Sequence, residues 1–389
     1  MKEVWTYKKL GDIASYVNGF PFKPTDWVED GKPIIRIQNL TGSQSKFNRC
    51  SRDDIPSKYF VKRGDILISW SATLGVYEWE LEDALLNQHI FKVVFDKIKI
   101  NKSFFRYAII ISLAEMGRHT NGATMKHIRK GDFDNIEIPI PSLAEQERIV
   151  ERLDSAFAQI DELKSNAEKQ LADARALFQS ALTQAMQPKP GWQEKKLVNV
   201  CDIFGRIGFR GYTTKDLVSS QNDGAISLSP SNIQNGEMDY SKRTYISWFK
   251  YNESPEIKIF NGDILLVKTG SSYGKSALVK DLPHEATINP QSVVLKNFRI
   301  NNEFFAYQLR TERVKKEFDQ FVSGTAIPTF SQAKLGTVPI YLPSEIEQEQ
   351  IVSYLNSLNN HVRELEEISR KTAAECDVLK QALLRQIFE

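Results

Sequence analysis

Residues 142–187 decide the fold, and they read SLAEQERIVERLDSAFAQIDELKSNAEKQLADARALFQSALTQAMQ. Their apolar side chains recur in alternating steps of four and three residues, which is the spacing of a coiled-coil seam. Ser142 and Glu145 form the pattern of a capping box, and Pro188 stops the helix. We therefore expect one long helix over residues 142–187, whose seam includes Ile149, Leu153, Ile160, Leu163 and Leu177.

The same pattern returns in residues 344–389, at the end of the chain. Ser344 and Glu347 form the second capping box. The simplest way to bury two such apolar seams in one chain is to pack them against each other. An antiparallel pairing brings the end of the first helix next to the start of the second, so the residues between them need no long connection. The predicted seam residues of the second helix are Ile351, Leu355, Val362, Leu365 and Leu379.

The segments outside the helices are also duplicated. Residues 63–68 (RGDILI) match residues 261–266 (NGDILL), and residues 101–107 (NKSFFRY) match residues 301–307 (NNEFFAY). Short apolar runs predict strands at 33–37, 65–69 and 91–95, and helical spacing predicts a helix over 102–115. The loops differ between the copies, as in 36–40 (RIQNL) and 227–233 (SLSPSNI).

These patterns together predict an α+β fold. Two tandem-duplicated α/β domains at residues 1–141 and 188–343 alternate with two long helices at residues 142–187 and 344–389. The helices are expected to form an antiparallel coiled coil. Since loops carry binding residues on a shared scaffold, matched scaffolds with different loops indicate two related modules that recognise different things.

Composition places the chain among ordinary globular proteins. Its 389 residues are 41% hydrophobic and 26% charged, which is enough for two or three cores. The N-terminus shows no apolar targeting segment, so we expect a cytoplasmic protein. Cys50, Cys201 and Cys376 form neither a disulfide framework nor a metal-spaced pair. The formal net charge of +2 gives only a weak sign of a nucleic-acid partner.

Three local patterns resemble a phosphate-binding loop, an amino-methyltransferase motif and a set of metal ligands, but each matches poorly. Residues 270–276 (GSSYGKS) place three residues between the glycines, whereas a phosphate-binding loop has four. Residues 289–292 (NPQS) lack the second proline and the aromatic residue of an amino-methyltransferase motif. The five histidines show no metal spacing. We therefore predict no catalytic residue, no metal and no cofactor in this chain.

The ordered duplication resembles the DNA-specificity subunit of type I restriction–modification systems. The resemblance rests on the twice-used helix entry, AEQERI at 144–149 and EQEQI at 347–351, and on the twice-used Gly-Asp-Ile-Leu. It covers essentially the whole chain. The family implies a non-catalytic protein with two target-recognition domains, each of which reads one half of a bipartite site in double-stranded DNA. The helices of the family set the unread spacer between the two halves.

The resemblance also implies partners and a cofactor outside this chain. Two modification subunits bind the specificity subunit, carry S-adenosylmethionine and methylate adenine. Restriction subunits join them in the full complex.

The candidates for DNA contact are side chains that present donors and acceptors to base edges or phosphates. In the first domain they are Lys23, Arg36, Gln38, Asn39, Thr73, Arg118 and Lys126. In the second domain they are Arg206, Arg210, Ser229, Asn232, Lys268, Ser271, Tyr273, Lys275 and Thr325.

Two other classes of protein stay open at this point. A coiled-coil adaptor without DNA specificity explains the helices and the near-neutral charge, but not the divergent loops on matched scaffolds. A fused nuclease–specificity polypeptide needs catalytic motifs, for which the duplicated plan leaves no spare domain.

Overall fold

The computed structural model describes residues 5–71, 73–119, 128–322 and 328–388, without the side chains of residues 115–119 and 209. The chain divides into two compact units, residues 1–167 with 370–389 and residues 168–369. Each unit therefore holds one globular part together with a portion of both long helices.

The first globular part is built from two four-stranded sheets and a two-stranded ladder. One sheet has the order β2-β9-β6-β7, the other β4-β3-β8-β5 with β3 and β8 parallel, and β1 pairs with β10. The strands are β1 Thr6–Lys9, β2 Ser15–Asn18, β3 Lys32–Ile35, β4 Asn48–Cys50, β5 Phe60–Val61, β6 Ile66–Ser69, β7 Gly75–Glu78, β8 Ala84–Leu86, β9 Ile90–Val94 and β10 Glu137–Ile140. The helices are α1 Leu10–Ile13, α2 Ile37–Leu40, α3 Lys102–His119 and α4 Lys130–Asp134.

The second globular part repeats this plan with a five-stranded second sheet. Its sheets have the orders β12-β22-β19-β20 and β13-β17-β14-β21-β18, with β14 and β21 parallel, and β11 pairs with β23. The strands are β11 Gln193–Lys196, β12 Asp202–Gly205, β13 Leu217–Val218, β14 Gly224–Leu228, β15 Ile233–Gln234, β16 Glu237–Met238, β17 Tyr245–Ser247, β18 Lys258–Ile259, β19 Ile264–Val267, β20 Ser276–Leu278, β21 Ala286–Ile288, β22 Ser292–Lys296 and β23 Pro339–Leu342. Its helices are α6 Trp248–Asn252, α7 Asn302–Leu309, α8 Glu312–Phe321 and α9 Gln332–Gly336.

The repeated Gly-Asp-Ile-Leu motif forms the same turn in both units. Gly64 (φ +86°) and Gly262 (φ +94°) adopt the left-handed conformation that favours glycine. The carboxylate that follows accepts a hydrogen bond from the backbone N–H three residues earlier, at 2.9 Å for Asp65 and 2.8 Å for Asp263. The Ile-Leu residues then begin the buried strands β6 and β19. The motif is thus a structural turn that starts the central strand of each first sheet.

A buried glutamine ties the start of each long helix to the preceding domain. Gln146 is 1% exposed and Gln348 is 6% exposed. Their side-chain oxygens accept hydrogen bonds from the backbone N–H groups of Asn101 (2.8 Å) and Asn301 (3.2 Å). Each amide also donates to the carbonyl of the proline five residues earlier, at 2.9 Å and 3.1 Å. These two hydrogen bonds account for the glutamine at the same place in both helix entries.

Replacing Gln348 by methionine is expected to destabilise the second unit by about 1–3 kcal/mol, because a buried N–H and a buried carbonyl lose their partner. The measurement is the free energy of unfolding in urea. Gln350→Met is the matched control, since Gln350 is exposed on the same helix. Equal unfolding midpoints for both variants would show that the buried amide contributes nothing.

The two long helices are α5 (Leu143–Ala185) and α10 (Glu345–Phe388), and they run antiparallel within each unit. Residues early in α5 share a core or a bond with residues late in α10, and the reverse holds. The pairs that show this are Leu153 with Leu384 and Ile160 with Cys376 in the first unit, and Arg175 with Glu366 and Leu182 with Leu355 in the second. The predicted antiparallel pairing is confirmed.

The predicted seam residues face the contact in the first half of each long helix, whereas from Leu163 onward in α5 and at Leu379 in α10 they lie one residue away from it. Ile149, Leu153, Ile160, Ile351 and Leu355 are buried, and Val362 and Leu365 are half-buried. Leu163, Leu177 and Leu379 are instead 55%, 72% and 47% exposed. The neighbouring residues Lys164, Phe178 and Lys380 take their places on the contact face. The cause is the mismatch between the 3.6-residue helical turn and a 3.5-residue repeat, together with lysine stems that can cover apolar surface.

A short hairpin, β15–β16, attaches the second globular part to α10. Its turn residues Asn235 (φ +52°) and Gly236 (φ +80°) have the positive φ values of a tight hairpin turn. The Glu237 carboxylate accepts hydrogen bonds from Arg363 at 2.8 and 2.9 Å and from Asn359 at 2.6 Å. These charge-assisted bonds fix the hairpin against the helix.

Candidate nucleic-acid interface

In each globular part, three segments meet where the two sheets join. A three-residue connection links β8 to β9 (residues 87–89) and β21 to β22 (residues 289–291). The hairpin loop after β6 or β19 lies beside it. The backbone N–H of Trp70 donates to the carbonyl of His89 at 3.3 Å, and the N–H of Lys268 donates to the carbonyl of Gln291 at 2.8 Å. We call this region the junction of each domain.

The third segment of the junction contains Ile128 in the first domain and Phe330 in the second, and it is hydrogen-bonded to the start of the hairpin loop. The N–H of Ile128 donates to the carbonyl of Trp70 at 3.1 Å, and the N–H of Phe330 donates to the carbonyl of Lys268 at 3.2 Å. The two junctions therefore share one backbone framework. They carry different side chains at equivalent places, which is the arrangement expected of two readers of different sequences.

In the first domain the junction is built from aromatic rings. The Trp70 and His89 rings lie 5.1 Å apart, and Trp70 stacks on Phe91 at 5.6 Å with 23° between the planes. The Trp70 indole N–H donates to the side-chain oxygen of Asn18 at 3.2 Å. His89 has φ +73°, an uncommon conformation for a residue other than glycine. Thr73 is exposed in the adjoining hairpin loop.

In the second domain the junction is polar and basic. Lys275 and Ser271 are exposed in the hairpin loop, and Lys268 is half-buried at its start. Among the described residues neither lysine ammonium has a hydrogen-bond or ion-pair partner. The Tyr273 hydroxyl donates to the Asp319 carboxylate at 2.7 Å, and this bond raises the pKa of Tyr273. Two unpaired ammonium groups on an exposed loop suit phosphate contact.

Two predicted arginines lie near this junction but are already engaged. Arg206 donates to the hydroxyl of Thr287 at 3.2 Å and to the carbonyl of Ile288 at 3.0 Å. Burial lowers the pKa of its guanidinium. Arg210 forms an ion pair with Glu256 at 3.6 Å. The contacts of Arg206 hold the end of β21 in place.

Two predicted base readers, Asn39 in the first domain and Asn232 in the second, make the same set of hydrogen bonds inside their own loops. Each side-chain oxygen accepts the backbone N–H three residues earlier, at 3.1 Å and 3.0 Å. The amide hydrogens go to backbone carbonyls at 3.0 and 3.2 Å for Asn39, and at 3.0 and 2.9 Å for Asn232. Both amide hydrogens of each side chain are thus used inside its own loop, which is evidence against the predicted pairing with an adenine edge.

The other candidates are spread over loops near the second sheets. Lys23 and Gln38 are exposed on either side of β3. The Arg36 guanidinium donates to Gln44 at 2.9 Å, and the Ser229 hydroxyl lies 2.8 Å from the hydroxyl of Ser231. Lys126, Thr325 and the side chain of Arg118 lie outside the described residues.

Sequence reasoning did not select the junction residues Trp70, His89 and Gln291. The signal was available, because each lies at a fixed distance from a repeated strand. Aligning the two Gly-Asp-Ile-Leu strands places Trp70 opposite Lys268, and aligning β9 with β22 places His89 opposite Gln291.

No group of three or more His, Cys, Asp and Glu residues in the described part of the chain could hold a metal ion. None of the helices in that part is both long enough and apolar enough to cross a membrane.

Comparison with known proteins identifies the family. The family model for the type I restriction modification DNA specificity domain matches residues 2–172 and 190–375. The EcoBI type I restriction enzyme specificity subunit from Escherichia coli is 24% identical over 99% of this chain and 85% of its own length.

Two solved structures share the fold. A structure of type I restriction–modification complex assembly has a TM-score of 0.71 at 18% identity, covering 99% of this chain and 97% of that one. The specificity subunit from Thermoanaerobacter tengcongensis has a TM-score of 0.52 at 18% identity, covering 100% and 97%. Since the family model matches both globular parts, the chain belongs to the DNA-specificity subunits of type I restriction–modification systems, a non-catalytic family.

Proposed function

We propose that the two globular parts, residues 1–141 and 188–343, are target-recognition domains that each read one half of a bipartite site in double-stranded DNA. The observation that carries this proposal is the pair of junctions. Both have the same backbone hydrogen bonds, yet one presents Trp70 and His89 and the other presents Lys268 and Gln291. One scaffold with two chemistries suits a site whose halves differ in sequence.

The long helices, residues 142–187 and 344–389, are proposed to set the spacer and to bind two modification subunits. Apolar side chains are exposed along both helices and are available for contact with another protein. They include Leu143, Leu177, Ile346, Tyr354, Ile368 and Val378. S-adenosylmethionine is expected on the modification subunits, restriction subunits are expected in the full complex, and the complex is expected to act on DNA in the cytoplasm.

The test is a methylome of a host that expresses the chain with the modification subunit of its own system. We expect one methylated motif with two specific halves and an unread spacer, and no such methylation from either subunit alone. A host whose methylation does not depend on this chain would support the adaptor alternative instead. Methyl transfer by the purified chain alone would contradict the non-catalytic role.

Replacing Lys268 or Lys275 by alanine is expected to weaken DNA binding by the complex and to lower its salt dependence. Each lost phosphate contact reduces the slope of log K against log salt concentration by about one. The measurement is binding to the target duplex at several salt concentrations. Lys195→Ala is the control, because Lys195 is exposed on the separate ladder β11–β23. Slopes equal to that of the control would show that the hairpin loop does not contact the backbone.

A further inference from the structure

We propose that Gln291 in the second domain and His89 in the first occupy one equivalent base-reading position, one for each half-site. This assignment rests on the proposed function and names the residue that distinguishes the two domains at the junction. It does not include Asn39 and Asn232, whose amides are used inside their own loops.

The equivalence of the two positions follows from the backbone. His89 is the last residue before β9, and Gln291 is the last residue before β22. Both carbonyls accept a hydrogen bond from the first residue after the central strand, Trp70 or Lys268. A side chain at this position is therefore attached at the same point of the hydrogen-bonded framework in both domains, although the backbone of His89 has a positive φ and that of Gln291 does not.

Gln291 has the geometry of a base reader. Its side chain is exposed, and its oxygen accepts a hydrogen bond from the Asn289 amide at 3.1 Å. Asn289 is only 8% exposed, and its side-chain oxygen also accepts a hydrogen bond from the backbone N–H of Gln291 at 3.1 Å. The buried asparagine therefore orients the glutamine side chain. Among the described residues the Gln291 amide nitrogen has no hydrogen-bond partner. A side-chain amide whose oxygen has a spare lone pair and whose NH2 group is available can pair with both N6 and N7 of adenine.

The surroundings of Gln291 suit DNA. The hairpin loop beside it carries Lys268 and Lys275, whose ammonium groups can contact phosphate. Gly270 (φ +94°) lies close to the glutamine: a Cβ at this position would be 3.6 Å from the Gln291 amide nitrogen. Two lysines that can contact phosphate thus lie on the loop beside the Gln291 amide, so that the same part of the domain can both position a duplex and read a base.

His89 holds the matching position in a different way. Its φ of +73° is a conformation that most residues avoid, and such outliers are often found at functional sites. The Trp70 ring lies 5.1 Å away and limits the movement of the imidazole. An imidazole N–H can donate to a purine acceptor such as N7, but it cannot offer the donor–acceptor pair of an amide. The two domains are therefore expected to prefer different bases here.

The experiment uses the full chain in complex with its modification subunit. The methylome of the wild type gives the motif, and duplexes with each base pair of both half-sites changed in turn are then compared by competition binding. Gln291→Ala is expected to lose about tenfold or more of its discrimination at one position of one half-site. His89→Ala is expected to do the same in the other half-site. Gln221→Ala is the matched control, since Gln221 is an exposed glutamine of the same domain.

A third variant, Gln291→Glu, covers the case in which the alanine variant binds nothing. A carboxylate accepts from cytosine N4, so this variant is expected to shift preference at the same position. Uniform weakening over all duplexes, or unchanged discrimination in all three variants, would overturn the assignment while leaving two-domain recognition in place. A wild type that prefers no duplex would instead overturn the proposed function, and this assignment with it.

Discussion

Leu153→Ala is expected to lower the free energy of unfolding of the first unit by about 2–5 kcal/mol, the usual cost of deleting a buried leucine side chain. Leu153 is 1% exposed and shares a core with Leu384. Leu163→Ala is expected to change the stability by about 0.5 kcal/mol or less, because Leu163 is 55% exposed. The two variants remove the same atoms from the same helix. Urea unfolding followed by the circular dichroism of the helices measures the difference.

A buried and an exposed leucine in the second unit provide an independent test of the same kind. Leu355 is fully buried, whereas Leu177 is 72% exposed, so Leu355→Ala is expected to be costly and Leu177→Ala nearly neutral. If Leu163→Ala were as damaging as Leu153→Ala, the helices would be packed on the strict four-three seam read from the sequence. The register seen in the structure would then be wrong.

These pairs also show how far the sequence could predict the helices. Existence, length and antiparallel pairing follow from apolar spacing, capping residues and connectivity, and all three are found. The seam in the second half of each helix does not follow, since Lys164 and Lys380 look like surface residues in the sequence. Lys380 nevertheless lies over the Phe157 ring at 5.3 Å and donates to Asp161 at 2.5 Å. A long stem that covers apolar surface has no signature in an apolar pattern.

The candidate site was less predictable for a related reason. Residue type identifies groups that can bind a base, but it does not show whether their hydrogen bonds are already used. Asn232 and Gln291 are both amides on turns of the second domain. The first uses its amide hydrogens on two carbonyls, while the amide nitrogen of the second has no hydrogen-bond partner among the residues that the structure describes. The difference depends on loop backbone that is set by contacts distant in sequence. The duplication supplied the missing comparison, because equivalent positions with different side chains could then be recognised.

Matched insertions of one heptad in both long helices are expected to lengthen the unread spacer of the DNA target without changing either half-site. Seven residues keep the 3.5-residue seam in phase and add about 10 Å of helix. In α5 the insertion belongs between Lys164 and Arg175, and in α10 between Glu366 and Asp377, so that the ion pairs within each unit stay intact. At about 3.4 Å per base pair, 10 Å corresponds to an increase of up to about three base pairs. The methylome of a host carrying this variant measures the new spacer.

Two unmatched variants make the reason for this result testable. A heptad in α5 alone leaves seven residues without a partner, and a single inserted residue turns everything beyond it by about 100°. Both are expected to abolish methylation, since the two recognition domains can no longer engage one duplex together. The matched variant restores the pairing and should restore activity at a longer site. If it instead methylated the original motif at the original spacing, the distance between half-sites would be set by the globular domains. The helices would then serve only to hold the modification subunits, while recognition by two domains would stand.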